Sequence, residues 1–173
     1  VIAILIYMLF NKNRTLNDIF ASIFIIMYVP TLMGSIIKIA DISYVWSLYI
    51  TAWGSDTFAY LTGSLIGKNK IKSIAHISPN KTLEGSIGGI IGALILNIIY
   101  VKYAPLNINL TYVIIFSIIG AILSQLGDLV ASYIKRKTGI KDFGNLIPGH
   151  GGIMDRFDSM VFIAPIFYLL SVL

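Results

Sequence analysis

The sequence contains no cysteine, so neither a disulfide framework nor a thiolate metal site is open to it. Charge is scarce too: only 12% of residues are Asp, Glu, Lys or Arg, against about 25% in an ordinary soluble domain. No self-similar period of the length used by solenoids or propellers occurs, so a repeat architecture is not expected. A positively charged leader is also lacking. Val1 opens inside an apolar run without an initiator Met, so the chain reads as an N-terminally truncated piece and not as one beginning with a signal peptide.

What is present is apolar sequence in long runs. Of 173 residues, 57% are hydrophobic, and mean hydropathy is +0.84. A bilayer core of about 30 Å takes about 20 apolar residues per spanning helix. Val1–Phe10 reads as the tail of one span. Ile19–Ile37 follows, with Pro30 and Gly34 as kink points, then Tyr44–Ile66, Ser86–Tyr103, Leu110–Tyr133 and a short Phe157–Leu173. The expected fold class is all-α: a polytopic transmembrane bundle with about six spans here, and residues 1–173 forming a single integral-membrane catalytic domain.

The positive charge sits in short loops. Lys12 and Arg14 lie in the first; Lys68, Lys70, Lys72 and Lys81 in the third; Lys135, Arg136, Lys137, Lys141 and Arg156 in the fifth. The intervening loops hold only Lys38 and Lys102. That asymmetry predicts that the three basic loops are cytoplasmic. It is a membrane-orientation pattern, so the net charge of +5 does not imply nucleic-acid binding. Tyr44, Trp46, Tyr100 and Tyr103 sit where interfacial anchors are expected. Gly85, Gly88, Gly89 and Gly92 fall four apart in two pairs and predict close helix packing.

The residues able to carry chemistry are few. Asp56 falls in the middle of a span, where an unpartnered carboxylate costs about 3 kcal/mol; it faces either a polar cavity or a hydroxyl such as Ser55 or Thr57. Asp128 shares a helical face with Ser124 and Gln125, making a polar stripe on a greasy helix. Asp155 and Asp158 are three apart at the start of the last span, as ligands or as helix caps. Just before them, Gly149, Gly151 and Gly152 surround His150 in a turn whose backbone allows close approach of an anion. His150 reads either as a phosphate donor or as a structural hydrogen-bonding group. His76 reads as incidental. Thr82 and Glu84 read as a helix cap or as substrate contacts, and Lys81 as a phosphate contact. Basic residues mixed with Asp suit phosphate handled through a divalent cation.

The stretch SYIKRKTGIKDFGNLIPGHGGIMDRFDS closely resembles the signature of the phosphatidate cytidylyltransferase (CDP-diacylglycerol synthase) family. Ser132, Lys135, Arg136, Lys141, Asp142, Gly144, Pro148, His150, Gly151, Gly152, Asp155, Arg156 and Asp158 stand in its register. The resemblance continues upstream in LGDL, SPNKTLEGSIGG and SDTFAYLTGSLIGKNK, and covers residues 53–173 best. It implies transfer of a cytidylyl group from CTP to phosphatidic acid, giving CDP-diacylglycerol and pyrophosphate. It further implies Mg²⁺, with a second metal ion as a candidate, on Asp128 and Asp155, with Asp158 as a further acid. Lys141, His150 and Arg156 then join those two acids as catalytic candidates. Lys81, Thr82, Ser132, Lys135, Arg136, Gly151, Gly152 and Asp56 are the substrate-binding candidates. CTP, phosphatidic acid and membrane lipids are the expected partners, with no nucleic acid and a homodimer as candidate assembly. The expected location is a bacterial inner membrane, with the site facing the cytoplasm. Two other readings compete: a CTP-dependent polyisoprenoid kinase, and a small-solute transporter with Asp56 and Asp128 as coupling sites. The acidic motif of CDP-alcohol phosphotransferases is absent.

Overall fold

Three short polar side chains mark where irregular chain turns helical. Asp41 accepts a hydrogen bond from the Ser43 N–H at 2.8 Å, Thr82 from the Gly85 N–H at 3.1 Å, and Asn109 from the Thr111 N–H at 2.9 Å. Each satisfies an N–H that the first helical turn leaves unpaired. The resulting structure, a computed structural model that describes residues 16–104, 108–144 and 151–173, is built from five long helices. They are α1 (Leu16–Ile37), α2 (Ile42–Ile66), α3 (Leu83–Tyr103), α4 (Leu110–Lys137) and α5 (Met154–Val172). No strand occurs among the described residues; one isolated antiparallel bridge joins Lys70 to Thr82. The expected first span and the cations Lys12 and Arg14 lie outside the described residues.

Helix α2 packs along α3 and also touches α4 and α5, while α1 packs on α5. Small residues set these distances. A Cβ on Gly85 would stand 2.8 Å from the Ala59 carbonyl oxygen, and one on Gly89 would stand 2.7 Å from that of Ser55. A Cβ on Gly88 would collide with Thr62, and one on Gly92 with Phe58. The glycine spacing in α3 therefore does what it predicts: it brings two backbones together where any side chain would separate them.

The interior is unusually polar and the exterior unusually greasy. Buried between α2 and α3, Ser47 Oγ donates to Asn97 Oδ1 at 2.5 Å and Asn97 Nδ2 donates to Thr51 Oγ1 at 2.8 Å. Ser55, Ser117 and Ser124 are buried as well. Outside, Leu83, Ile87, Ile91, Ile95 and Ile99 form an exposed stripe four residues apart along α3, each about half exposed. Water would penalise that arrangement, whereas lipid favours isoleucine outside and hydrogen-bonded polar groups inside. An apolar cluster of Leu48, Ala52, Met160, Ile163, Ala164, Phe167 and Leu170, with Ile39, fills the remaining space between α2 and α5. Among the described residues, α3 and α4 are long and apolar enough to cross a membrane.

Several boundaries differ from expectation for local reasons. Helix α3 begins three residues early because Thr82 caps it. Helix α4 runs on to Lys137, so Lys135, Arg136 and Lys137 occupy its last helical turn and not a loop, where cations oppose the carbonyl end of the helix dipole. It stops at Gly139, whose φ of +72° is costly for other residues. Helix α1 continues through Pro30. Of the aromatic anchors, Tyr44 packs against the core and Tyr100 donates its hydroxyl to the Ser43 carbonyl at 3.1 Å, whereas Trp46 and Tyr103 do stand exposed.

Candidate active site

Four helices and two loops converge on one cavity of about 590 Å³. Helix α2 contributes Asp56, Ala59, Tyr60, Gly63 and Ser64, all on one face because their spacings are threes, fours and sums of these. The loop leading into α3 contributes Asn80, Lys81 and the cap Thr82, and the first turn of α3 contributes Gly85 and Ser86. Helix α4 gives Gln125, Asp128 and Lys135, and the last segment gives Asp142, Asp155, Arg156 and Asp158. Residues more than 100 positions apart in sequence thus share one wall.

The loop before α3 is folded so that Lys81 points inward. Ile71 N–H donates to the Lys81 carbonyl at 3.2 Å and Leu83 N–H to the Asn69 carbonyl at 2.9 Å. Glu84 does not close a capping box; its carboxylate accepts from Asn69 Nδ2 at 2.7 Å and so ties the returning loop to the helix. Lys81 then reaches Asp128, with Nζ 2.5 Å from Oδ2 and both side chains about a quarter to a third exposed. This is the accessible ion pair of the site.

The second pair is closed. Lys135 Nζ lies 2.8 Å from Asp155 Oδ1 and 3.8 Å from Asp158 Oδ2, with side-chain exposures of 10%, 3% and 12%. The same ammonium sits 5.2 Å from the centre of the Phe143 ring. The other Asp155 oxygen accepts from Phe143 N–H at 2.8 Å and Gly152 N–H at 2.9 Å. Burial alone would raise the Asp155 carboxyl. The Lys135 ammonium and the Gly152 and Phe143 N–H groups outweigh it and hold that carboxyl below the usual range. Gly151 has a φ of +82°, and a Cβ there would stand 2.9 Å from Asp155 Oδ2. Gly152 packs against Gly144 with no room for a side chain. These two glycines therefore build the seat of Asp155.

Asp56 faces the cavity, and its bond is not to neighbouring Ser55 or Thr57. Ser159 of α5 donates to Asp56 Oδ2 at 3.4 Å. Asp158 is not a helix cap: the cap position of α5 is Ile153, with no side-chain bond. Among the sequence-derived candidates, the cavity gathers Asp56, Lys81, Thr82, Asp128, Lys135, Asp155, Arg156 and Asp158. Ser132, Arg136, Lys141, Gly151 and Gly152 are not on its lining, and Arg136 and Lys141 are exposed. His150 lies outside the described residues. His76 is exposed and off the cavity. The cavity also takes in Tyr60, Ser64, Asn80, Ser86 and Asp142, which the sequence pattern does not mark as site residues. The spacing of Tyr60 and Ser64 from Asp56 was the available signal for two of them.

The donor chemistry suits a hard divalent cation, since five Asp side chains line one cavity. Asp56, Asp128 and Asp158 lie within electrostatic reach of one another. Among the described residues, no three such side chains are gathered into a ready metal cage. Lys81 and Lys135 supply the nearest positive charge instead.

A helical bundle with a greasy exterior and a pocket of paired acids and ammoniums defines a class: membrane-type helical proteins that handle charged groups at one end of apolar helices. Within that class the comparison is specific. The chain belongs to the cytidylyltransferase family, whose model matches residues 1–173. It is 45% identical over 129 residues to a phosphatidate cytidylyltransferase of Staphylococcus haemolyticus, covering 75% of this chain and 49% of that one. It is 43% identical over 132 residues to the phosphatidate cytidylyltransferase of Bacillus subtilis, covering 76% and 48% respectively. The chain thus spans about half the length of the curated relatives it matches.

Proposed function

We propose that the full-length protein transfers the cytidylyl group of CTP to phosphatidate. A phosphatidate oxygen attacks the α-phosphorus of CTP, the bond from that phosphorus to the bridging oxygen breaks, and pyrophosphate leaves. The observation that carries this reading is the cavity itself: Lys81, Lys135 and Arg156 stand among five carboxylates, on a chain whose relatives bear that activity in their names.

The attacking group is already an anion, so a strong general base is unnecessary; the barrier lies in charge repulsion and alignment. Lys81 is suited to meet an incoming phosphate, because its pair with Asp128 is partly open to solvent. Arg156 offers a planar fork at the cavity wall. Lys135 is nearly enclosed and keeps Asp155 in place more than it reaches for substrate. Asp128 and Asp155 would hold Mg²⁺, with Asp158 or Asp56 as supporting acids. When bound, the ion would offset the phosphate charge. We place the site at the cytoplasmic face of the inner membrane, since eleven of the 13 Lys and Arg lie in the alternate loops or in the helix ends that border them. Six spans in this stretch agree with that alternation.

The test is an assay of the full-length protein with phosphatidate, Mg²⁺ and CTP labelled at the α-phosphate. Label in the lipid supports the proposal. Label confined to CDP sinks it and points to γ-phosphoryl transfer, as by a lipid kinase. Asp155→Asn is expected to abolish turnover while the protein still inserts; near-normal activity at saturating Mg²⁺ would remove Asp155 from its assigned role.

A further inference from the structure

Gln125 lies three residues before Asp128 on the cavity face of α4, and its amide is oriented by its neighbours. Nε2 donates to the Ser86 carbonyl at 3.0 Å and to Ser55 Oγ at 3.3 Å. A backbone carbonyl only accepts, so the nitrogen must face Ser86 and the amide cannot be turned over. Gly89 leaves the space, since a Cβ there would stand 2.9 Å from Nε2. Both N–H groups are thus engaged by α2 and α3, and Oε1 takes no hydrogen bond among the described residues. It is an acceptor fixed on the cavity wall within one helical turn of Asp128. A phosphatidate headgroup presents acceptors, which such an oxygen repels. A cytidine nucleotide carries donors: the exocyclic amine of the base and the ribose hydroxyls.

We propose that Gln125 is a specificity-determining residue whose Oε1 accepts a hydrogen bond from an N–H or O–H donor of the nucleotide. The inference rests on the cytidylyl-transfer reading. Ser55 and Ser86 hold the amide so that its acceptor end alone faces the substrate. A nucleotide that replaces the donor with a second acceptor leaves two oxygens opposed without a proton between them. One such mismatch is expected to change selectivity by about 10- to 100-fold.

The experiment measures kcat/KM of the full-length protein for CTP, UTP, 2′-deoxyCTP and 3′-deoxyCTP, in the parent, Gln125→Met and Gln125→Glu. UTP lacks the exocyclic amine and each deoxynucleotide lacks one hydroxyl, so the arms separate the sources of the donor. Gln125→Met is expected to lower the preference for CTP over one of these analogues by about 10-fold or more. Gln125→Glu keeps the acceptor oxygen and is expected to retain more of that preference than Gln125→Met. Ratios within one variant are independent of how much of it folds, and the near-isosteric Glu variant serves if Met does not assemble. Equal losses on all four nucleotides, or the same selectivity in both variants as in the parent, would overturn the proposal and leave Gln125 as a joint between helices. Failure of the underlying reading looks different: the parent itself would place no α-label in lipid.

Discussion

Replacing Lys135 by Met removes one ammonium and keeps a side chain of similar length, so it isolates the charge from the packing. In the structure that ammonium is 2.8 Å from Asp155 and 3.8 Å from Asp158, with Asp155 only 3% exposed. After the change, Asp155 keeps the Phe143 and Gly152 N–H bonds, both on one oxygen. The other oxygen loses its partner in a place that water barely reaches. Breaking a buried pair from one side costs about 3–5 kcal/mol, and the two retained bonds point to the lower end, about 3 kcal/mol. Reversible unfolding of the full-length protein in mixed micelles, followed by tryptophan fluorescence, measures this. Combining Lys135→Met with Asp155→Asn is expected to recover part of the loss, because the stranded charge is gone. A cost below about 1 kcal/mol for the single change, as for an exposed pair, would refute the closed-pair assignment. The sign of the pH dependence follows from the same geometry. Asp155 is held below the usual carboxylate range, so its contribution is complete above that range, about pH 4, and fades as pH falls through its own lowered value. Lys135→Met is expected to diminish that acid-side loss, read as a flatter unfolding midpoint against pH.

Lys81→Met is expected to do the reverse: a stability change under about 1 kcal/mol, because its pair is partly exposed, with a loss of turnover of about 100-fold or more. Unchanged turnover would remove Lys81 from the site. Gly151→Ala forces a φ of +82° on a residue with a Cβ and presses that atom against Asp155. It is expected to cost about 1–2 kcal/mol from the backbone alone and to reduce activity as Asp155 shifts, measured by unfolding and by labelled-CTP turnover. Lys137→Ala and Arg136→Ala both alter exposed side chains off the cavity lining and are expected to stay within about fivefold of the parent. A large loss with Arg136→Ala alone would give that arginine the substrate role that its place in the signature implies.

Much of the helical layout was legible because apolar runs of spanning length have few alternatives to a helix. The apolar runs ending at Ile66 and Tyr103 and beginning at Leu110 mark the ends of α2 and α3 and the start of α4. The start of α3 is not legible in this way, since only the geometry shows that Thr82 is the residue that caps it. The basic triplet at 135–137 reads as loop because charge usually marks a span's end, yet the helix dipole lets α4 carry it one turn further. Asp56, Lys81 and Asp128 were recognisable singly, because a charge beside or within an apolar helix needs a reason to be there. Their pairings were not, since Lys81 meets a carboxylate 47 positions away and no local pattern encodes that distance.

The sequence by itself determined the class, the family resemblance and a short roster of charged residues, because those depend on residue type and local spacing. The tertiary structure decided how that roster divides. Lys81–Asp128 is an open pair and Lys135–Asp155 a closed one, Gly151 and Gly152 seat a carboxylate and are not on the cavity lining, and Gln125 turns one end of its amide to the helices. Those distinctions depend on burial and on which groups converge from distant segments. The glycine contacts between α2 and α3 contribute to that convergence by bringing close together the two backbones that carry Asp56 and Ser86.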